Sequence, residues 1–445
     1  MSAAEPLPTP PLSLPLDDAV GRTAMRKASW RLIPLLAIGY GVAYMDRVNI
    51  SFASLQMNRD LHFSASVYGF GAGLFFISYA ACEIPSNLVL YRVGARRWFA
   101  RIMLTWGLLA MAMMFVKTPV QFYVMRFLLG MAEAGFFPGV IFYLAQWFPP
   151  HMRARAISRF YISLPISSVF MGAIAGFLLD LQGKAGLAGW QWLFLLEGIP
   201  AILLSIVFWI FLPPGPLEAK WLTADEREWL LHQLTPAHAI DEPGGSLGRA
   251  LLDHRVWQIS LVFLCQLTCS YAYSLSAPAI LKAITPLSNR EVGFLVATMS
   301  LLGAPAMILN AMHSDRTKER YFHVAIPFLL MAVCFLISGL STLPFLAIPA
   351  LAIAMLSYYA LQGPILALAS GFLRGRYNAA GIATMNTIGI LGGFVGPFGM
   401  GLAKDYTGTY QPGLLLLVIP TLVAAATVFM MRVQARVRAQ RWQTQ

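Results

Sequence analysis

Charge is what this sequence lacks. Only 12% of its 445 residues are Asp, Glu, Lys or Arg, about half the roughly 25% of a soluble domain. With 58% of residues hydrophobic and a mean hydropathy of +0.64, an ordinary water-soluble domain is excluded. Cysteine is scarce too: Cys82, Cys265, Cys269 and Cys334 all fall inside apolar runs, so no disulfide framework is implied. Cys265 and Cys269 lie one helical turn apart and could share a metal, but they read far more readily as small apolar fillers of one helix face. The seven histidines scatter around run ends and loops, which argues against a metal set. No nucleophile elbow or phosphate loop appears, and "GFGAG" (69–73) reads as tight helix packing. The expectation is no enzyme, no metal and no cofactor.

What is present is apolar length. Twelve runs lie at about 30–55, 67–91, 98–117, 121–148, 154–180, 190–212, 255–283, 291–312, 322–342, 345–373, 378–402 and 413–432. Each can cross a hydrocarbon core of ~30 Å. The fold class expected is an all-α polytopic membrane protein embedded in a lipid bilayer. The net charge of +12 would suit a nucleic-acid partner, but its distribution argues for none. Basic residues cluster before the first span (Arg22, Arg26, Lys27, Arg31), between spans two and three, after span four (Arg153, Arg155, Arg159), between spans eight and nine, and at the C-terminus (Arg432, Arg436, Arg438, Arg441). Alternate loops are poor in them, which by the positive-inside rule puts both termini in the cytosol.

Residues 1–29, opening "MSAAEPLPTPPLSLPLDD", read as a flexible cytosolic tail rather than a signal peptide. Residues 213–253 form a linker with an amphipathic segment near 222–234, where Thr223 and Glu226 fit a capping box. It separates an N-terminal six-helix bundle (30–212) from a C-terminal one (254–432), followed by a basic tail (433–445). "YRVGARR" (91–97) and "SDRTKER" (314–320) occupy equivalent loops, and "GFLLD" (176–180) and "GLAKD" (401–405) equivalent span ends. Arg92/Arg316 are offset by 224 and Asp180/Asp405 by 225. Parallel repeats of this kind bind solute at the midplane between halves. The same offset maps Asp46 to Tyr271 and Glu133 to Tyr358, placing the ionisable pair in the first half.

Charged side chains within spans cost around 2.5–3.5 kcal/mol on insertion scales. Asp46, Arg47, Glu83, Arg126, Glu133 and Glu197 are such residues. Asp46 lies roughly 13 Å and Glu133 roughly 18 Å below the outer surface at 1.5 Å per residue, so they share a level. Adjacent on one helix, Asp46 and Arg47 cannot face each other. Two carboxylates and a fixed cation at one depth make a proton switch; the plainer alternative is an interhelical pair that only locks the bundle. Glu83 and Glu197 read as structural as readily as functional, and Arg126, near a span end, as a snorkelling side chain.

Several segments carry a family resemblance: "YMDRVNIS" (44–51), "EIPSN" (83–87), "RFLLGMAEAGFFPGVIFYLAQWFP" (126–149), "GWQWLFLLEGIPA" (189–201) and "GIATMNTIGILGGFVGP" (381–397). They resemble the anion:cation symporter branch of the major facilitator superfamily, in particular bacterial proton-coupled transporters of tartrate, sugar acids and aromatic acids. The resemblance implies two pseudo-symmetric six-helix bundles and alternating access. It implies proton coupling at Asp46 and Glu133, with the proton as coupling ion. It places a substrate carboxylate on Arg47, with Tyr44, Tyr79 and Asn386 in contact. It implies a cytosolic gate at Arg92, Gly94, Arg96 and Arg97, repeated at Asp315 and Arg316, although Tyr91 stands where the motif usually has Asp. Two departures bear on substrate: Ile365-Leu366 replace a usual Phe-Trp, and Leu164 replaces a Gln common in sugar-acid transporters. Both remove hydrogen-bonding capacity, and a site poor in donors cannot offset the desolvation of many hydroxyls.

The function expected is therefore import of a less hydroxylated aliphatic or aromatic carboxylate by proton symport, by a monomer in a bacterial inner membrane. A drug/cation–proton antiporter shares the fold but wants acidic groups for cations, whereas Arg47 looks unpaired. A sensor that binds an organic acid without moving it is a further alternative.

Overall fold

The computed structural model describes residues 19–234, 253–341, 343–372 and 378–443. The tail over 1–18 and the Gly-rich turn closing the linker lie outside the described residues. Among the described residues every regular element is helical. The first half comprises α1 (Ala19–Asp60), α2 (Ala65–Val93), α3 (Ala95–Ala112), α4 (Pro119–Glu133), α5 (Phe136–Ala145), α6 (Pro150–Tyr161), α7 (Ser163–Leu179) and α8 (Gly189–Phe211). The linker helix is α9 (Ala224–Leu234). The second half comprises α10 (His254–Ile284), α11 (Asn289–Thr317), α12 (Tyr321–Leu340), α13 (Pro344–Phe372), α14 (Asn378–Ile390), α15 (Gly392–Thr407) and α16 (Gln411–Gln443).

Eleven helical runs among the described residues are long and apolar enough to cross a membrane, one fewer than the twelve expected. The missing one is α1, which at 42 residues is ample in length. Its hydropathy falls short because Asp46, Arg47, Asn49, Ser51, Ser54 and Gln56 punctuate its second half. All six are buried, so the polar face meets protein rather than lipid. α1 also begins at Ala19 and α16 runs on to Gln443, so residues 19–29 and 433–443 are helix rather than tail.

Three spans are broken rather than continuous. α4 stops at Glu133, and Gly135 adopts φ +87° before α5 begins. A Cβ there would also lie 2.2 Å from Ser86 Oγ, so both backbone angle and space require glycine. α6 and α7 join through Ile162, and α14 and α15 through Leu391. Broken helices at membrane depth are found where backbone lines a site.

The halves are sealed on the face that carries the loops after α1 and α7. There α2 packs on α15 and α7 on α11. The "GFGAG" stretch does serve close packing: a Cβ on Gly69 would lie 2.3 Å from Pro397 O. Two polar latches cross the interface at its rim. Asp180 pairs with Arg290 at 2.5 Å, and Asp405 accepts from the backbone N–H groups of Ala65 at 2.9 Å and Ser66 at 2.8 Å. These latches are repeats of each other. Asp180 to Asp405 is an offset of 225, and Ala65 to Arg290 is also 225.

On the opposite, terminal face the described linker clamps the first half. The Thr223–Glu226 capping box forms: Thr223 Oγ1 accepts from Glu226 N at 3.2 Å, and Glu226 Oε2 accepts from Thr223 N at 2.9 Å. The same oxygen takes Lys27 Nζ at 2.8 Å. Trp229 lies flat on Gly21, Trp221 stacks on Trp147 at 5.4 Å, and Tyr143 Oη donates to Pro213 O at 2.7 Å.

Burial works to raise the Glu226 carboxyl, but Lys27 and Thr223 outweigh it and hold the group below its ordinary range. A depressed carboxyl stabilises the clamp above its unfolded-state value, and that stability disappears as pH falls through the lowered one. Glu226→Gln should therefore raise amide hydrogen exchange over 224–234 about fivefold at neutral pH, as loss of ~1 kcal/mol does. Acidifying the wild type should lower its protection factors there in the same way, once the slower intrinsic exchange at low pH is divided out; equal exchange in both proteins at neutral pH refutes the clamp.

Candidate functional site

Neighbours on a helix point about 100° apart, and α1 sends Asp46 and Arg47 to different partners. Arg47 Nε donates to Glu133 Oε1 at 2.8 Å, and its NH2 nitrogen reaches the same oxygen at 2.5 Å. Glu133 is fully buried as the last residue of α4, so the break at Gly135 fixes where its carboxylate emerges. The guanidinium stands 5.0 Å from the Tyr79 ring and 5.8 Å from Phe75. Asp46 turns away from the cavity. It accepts from Asn49 Nδ2 at 3.2 Å and faces Trp106 and Arg126.

Arg126 does not snorkel. It is 2% exposed, donates to Ala72 O at 3.3 Å and lies 4.9 Å from the Phe75 ring. The expectation failed because its face of α4 turns toward α1, where Asp46 is a nearer counter-charge than the membrane surface. Phe75 thus touches both guanidinium groups.

Arg47 lines a cavity between the halves that encloses about 760 Å³ including its mouth. Tyr44, Tyr79 and Asn386 line it with Arg47, as does Tyr271, the counterpart of Asp46 in the second half. Tyr40, Tyr161 and Tyr358 raise the phenols to six. Leu164 and Leu366 face this space, whereas Ile365 is buried in the core. Gln266 and Gln362 also face it, so the lining is richer in hydrogen-bonding groups than the two leucine positions suggested. Gln362 stands beside the Gly363-Pro364 motif, and its position there was the available signal. Asn386 Nδ2 donates to Glu83 Oε1 at 2.7 Å, so Glu83 ties α2 to α14 across the two halves.

The gate residues are not brought together. Gly94, with φ +87°, makes the turn from α2 to α3. Arg92 and Arg97 are exposed, and Arg96 donates to Trp209 O in its own half. Asp315 pairs with Arg320 at 3.8 Å, again within one half, and Arg316 is exposed. Rigid halves that meet on one face part on the other, so these loops lie apart in this state.

Two further expectations change in detail. His313 Nδ1 and His323 Nε2 approach to 2.6 Å, so these histidines are paired rather than scattered. No group of three or more His, Cys, Asp and Glu placed to hold a metal occurs among the described residues. Cys269 Sγ contacts Leu417 O at 3.7 Å, which is packing between α10 and α16.

Comparison with known proteins adds three findings. The family model described as Major Facilitator Superfamily matches residues 36–397. The chain is 44% identical over 402 residues to a protein of Agrobacterium vitis named "Putative tartrate transporter", covering 90% of this chain and 89% of that one. It is 39% identical over 425 residues to a "Quinolone resistance transporter" of Acinetobacter baumannii (95% and 98% covered) and 32% identical over 430 residues to "Inner membrane transport protein RhmT" of Escherichia coli (96% and 98%). Among solved structures, a bacterial homolog of the human lysosomal transporter Spinster superposes with a TM-score of 0.74 at 16% identity, covering 90% of this chain and 96% of that one. The E. coli xylose transporter XylE, in an inward-open conformation, gives 0.70 at 15% identity (91% and 95%). Identities this low speak for the fold alone.

Arg126→Ala would leave Asp46 without its principal cation and empty the space beside Phe75. We expect a loss of about 3 kcal/mol, the lower end for breaking a buried charge pair, read as a lower melting temperature in detergent. A melting temperature equal to wild type would show that Arg126 does not support Asp46.

Proposed function

The chain belongs to the major facilitator superfamily, and on that premise we propose that it imports an organic carboxylate by proton symport. The chain is a multi-pass membrane protein. In the proposed arrangement it sits in a bacterial inner membrane with both termini, the linker and the gate loops in the cytosol, so the sealed face is the outer one.

The observation that carries the reading is the Arg47–Glu133 pair in the cavity wall. In this structure the guanidinium is engaged by an internal carboxylate at 2.8 Å. An incoming carboxylate binds Arg47 well only if Glu133 gives it up, and a proton on Glu133 removes the charge that holds the pair. Proton and anion then arrive together. For a monoanion this also cancels the electrical cost of entering an inside-negative cell, about 2.3 kcal/mol per 100 mV. Asp46, turned from the cavity toward Asn49 and Arg126, is the second proton site. Tyr44, Tyr79 and Asn386 complete the contacts, and the rings and two leucines around Arg47 favour a planar or aliphatic body with few hydroxyls.

A second reading is supported by two observations. One relative is named for quinolone resistance, and Arg47, expected to be unpaired, has an acidic partner that proton antiport could use. That reading has the chain exporting a drug in exchange for protons.

Thermal shift with a panel of tartrate, aliphatic and aromatic carboxylates, and organic cations separates these readings. A carboxylate at a hundredfold its dissociation constant should stabilise the protein by about 2.7 kcal/mol, and Arg47→Ala should abolish the shift. Glu133→Gln should keep the shift but lose proton-driven accumulation in vesicles. Shifts with cations alone would favour the antiporter, and accumulation that survives Glu133→Gln removes that residue from coupling.

A further inference from the structure

α8 carries a buried acid that the proposed cycle does not use. Glu197 is 7% exposed, and neither carboxylate oxygen has a hydrogen-bond donor. The side chain faces Asn49 and Asp46 on α1. Asn49 already commits its Nδ2 to Asp46 at 3.2 Å, and its own Oδ1 lacks a donor. Asp46 Oδ2, Asn49 Oδ1 and both Glu197 oxygens are thus buried acceptors without a hydrogen bond in one spot, where the unpartnered donor Trp106 Nε1 faces Asp46 rather than Glu197, and a buried unpaired acceptor is costly. Turning the Asn49 amide over does not help, because that presents Oδ1 to Asp46.

Charge tells the same story. Glu197 is acted on by Asp46 from α1; beyond Asp46 stand Arg126 and Glu133 on α4 and Arg47 on α1. α3, packed on α8 at this level, brings Gly107 and Met111 against Gly198 and turns Trp106 toward Asp46. With Glu83 on α2, on which Arg47 also acts, four carboxylates therefore share two guanidinium groups. Fully ionised, the cluster would hold an uncompensated negative charge inside the membrane, which is expensive. A proton on Glu197 supplies a donor that this spot lacks and removes one negative charge from the cluster.

We propose that Glu197 holds a proton in this structure and exchanges it with Asp46 across the gap beside Asn49, making it a third proton-carrying residue. In that transfer the Glu197 O–H bond breaks, an O–H bond forms on Asp46, and the negative charge passes from Asp46 to Glu197. The role in transport rests on the symport reading; the protonated state does not, and can be measured without a substrate.

Infrared difference spectroscopy of the full-length protein in lipid, with H2O replaced by D2O, tests it. A protonated-carboxyl band is expected in the wild type and in Glu133→Gln, lost in Glu197→Gln, where the amide supplies the donor instead of a proton. Should Glu197→Gln fail to fold, Glu197→Asp decides by shifting the band. In Asp46→Asn, deuterium exchange of the Glu197 band should slow by about a hundredfold, the low end for removing a positioned proton-transfer group. A band unchanged in the Glu197 variants, or no such band in the wild type, overturns the proposal. Unslowed exchange in Asp46→Asn overturns the relay. A finding that transport is not proton-coupled would instead sink symport while leaving the band in place.

Discussion

The buried contact between Arg47 and Glu133 is the constraint around which the first half is organised. A guanidinium fixed at membrane depth demands a carboxylate, because removing one partner of such a pair costs about 3–5 kcal/mol. That demand accounts for the polar face of α1, which keeps the helix from reading as an ordinary membrane span. It also accounts for the interruption after Glu133. A continuous fourth span would carry its carboxylate past on the helix surface, whereas ending α4 there and restarting at Phe136 presents it at the cavity wall. The aromatic faces of Tyr79 and Phe75 then flank the guanidinium at the cavity wall.

Most of the architecture was legible because hydropathy and length report directly on membrane crossing, and because two charged motifs recur at one spacing. The site was legible in depth but not in azimuth. Counting residues placed Asp46, Arg47 and Glu133 on one level, yet it could not tell which way each pointed. It therefore missed that Arg47 takes Glu133 while Asp46 faces Arg126 and Asn49. Arg126 was misjudged for the same reason, since closeness to a span end says nothing about whether a side chain faces lipid or protein. The break at Gly135 was hidden because a glycine inside "AEAGFFPG" looks like any packing glycine until its backbone angle is known. Gln266 and Gln362 escaped notice because attention to what had been lost at Leu164 and Leu366 obscured what stood beside them.

Under the proposed cycle, the first half holds the chemistry and the second half supplies its wall. Tyr271 and Tyr358 stand at the repeat positions of Asp46 and Glu133 and face the same cavity. Duplication thus kept the geometry while one copy exchanged ionisable groups for phenols, which donate hydrogen bonds without adding charge to the bilayer. Glu83 and Asn386 join the copies at the cavity itself, so whatever displaces that hydrogen bond acts on both halves at once.

The two rim latches have a mechanical consequence. Asp180–Arg290 is exposed, and an exposed pair is worth at most about 1 kcal/mol; neither latch alone would hold two bundles together. Their repeat relation, however, puts them at opposite edges of the interface. Under the proposed cycle, parting the halves on this face would break both, so that two weak bonds would behave as a coincidence detector that ignores a local fluctuation and answers only to a movement of the whole half.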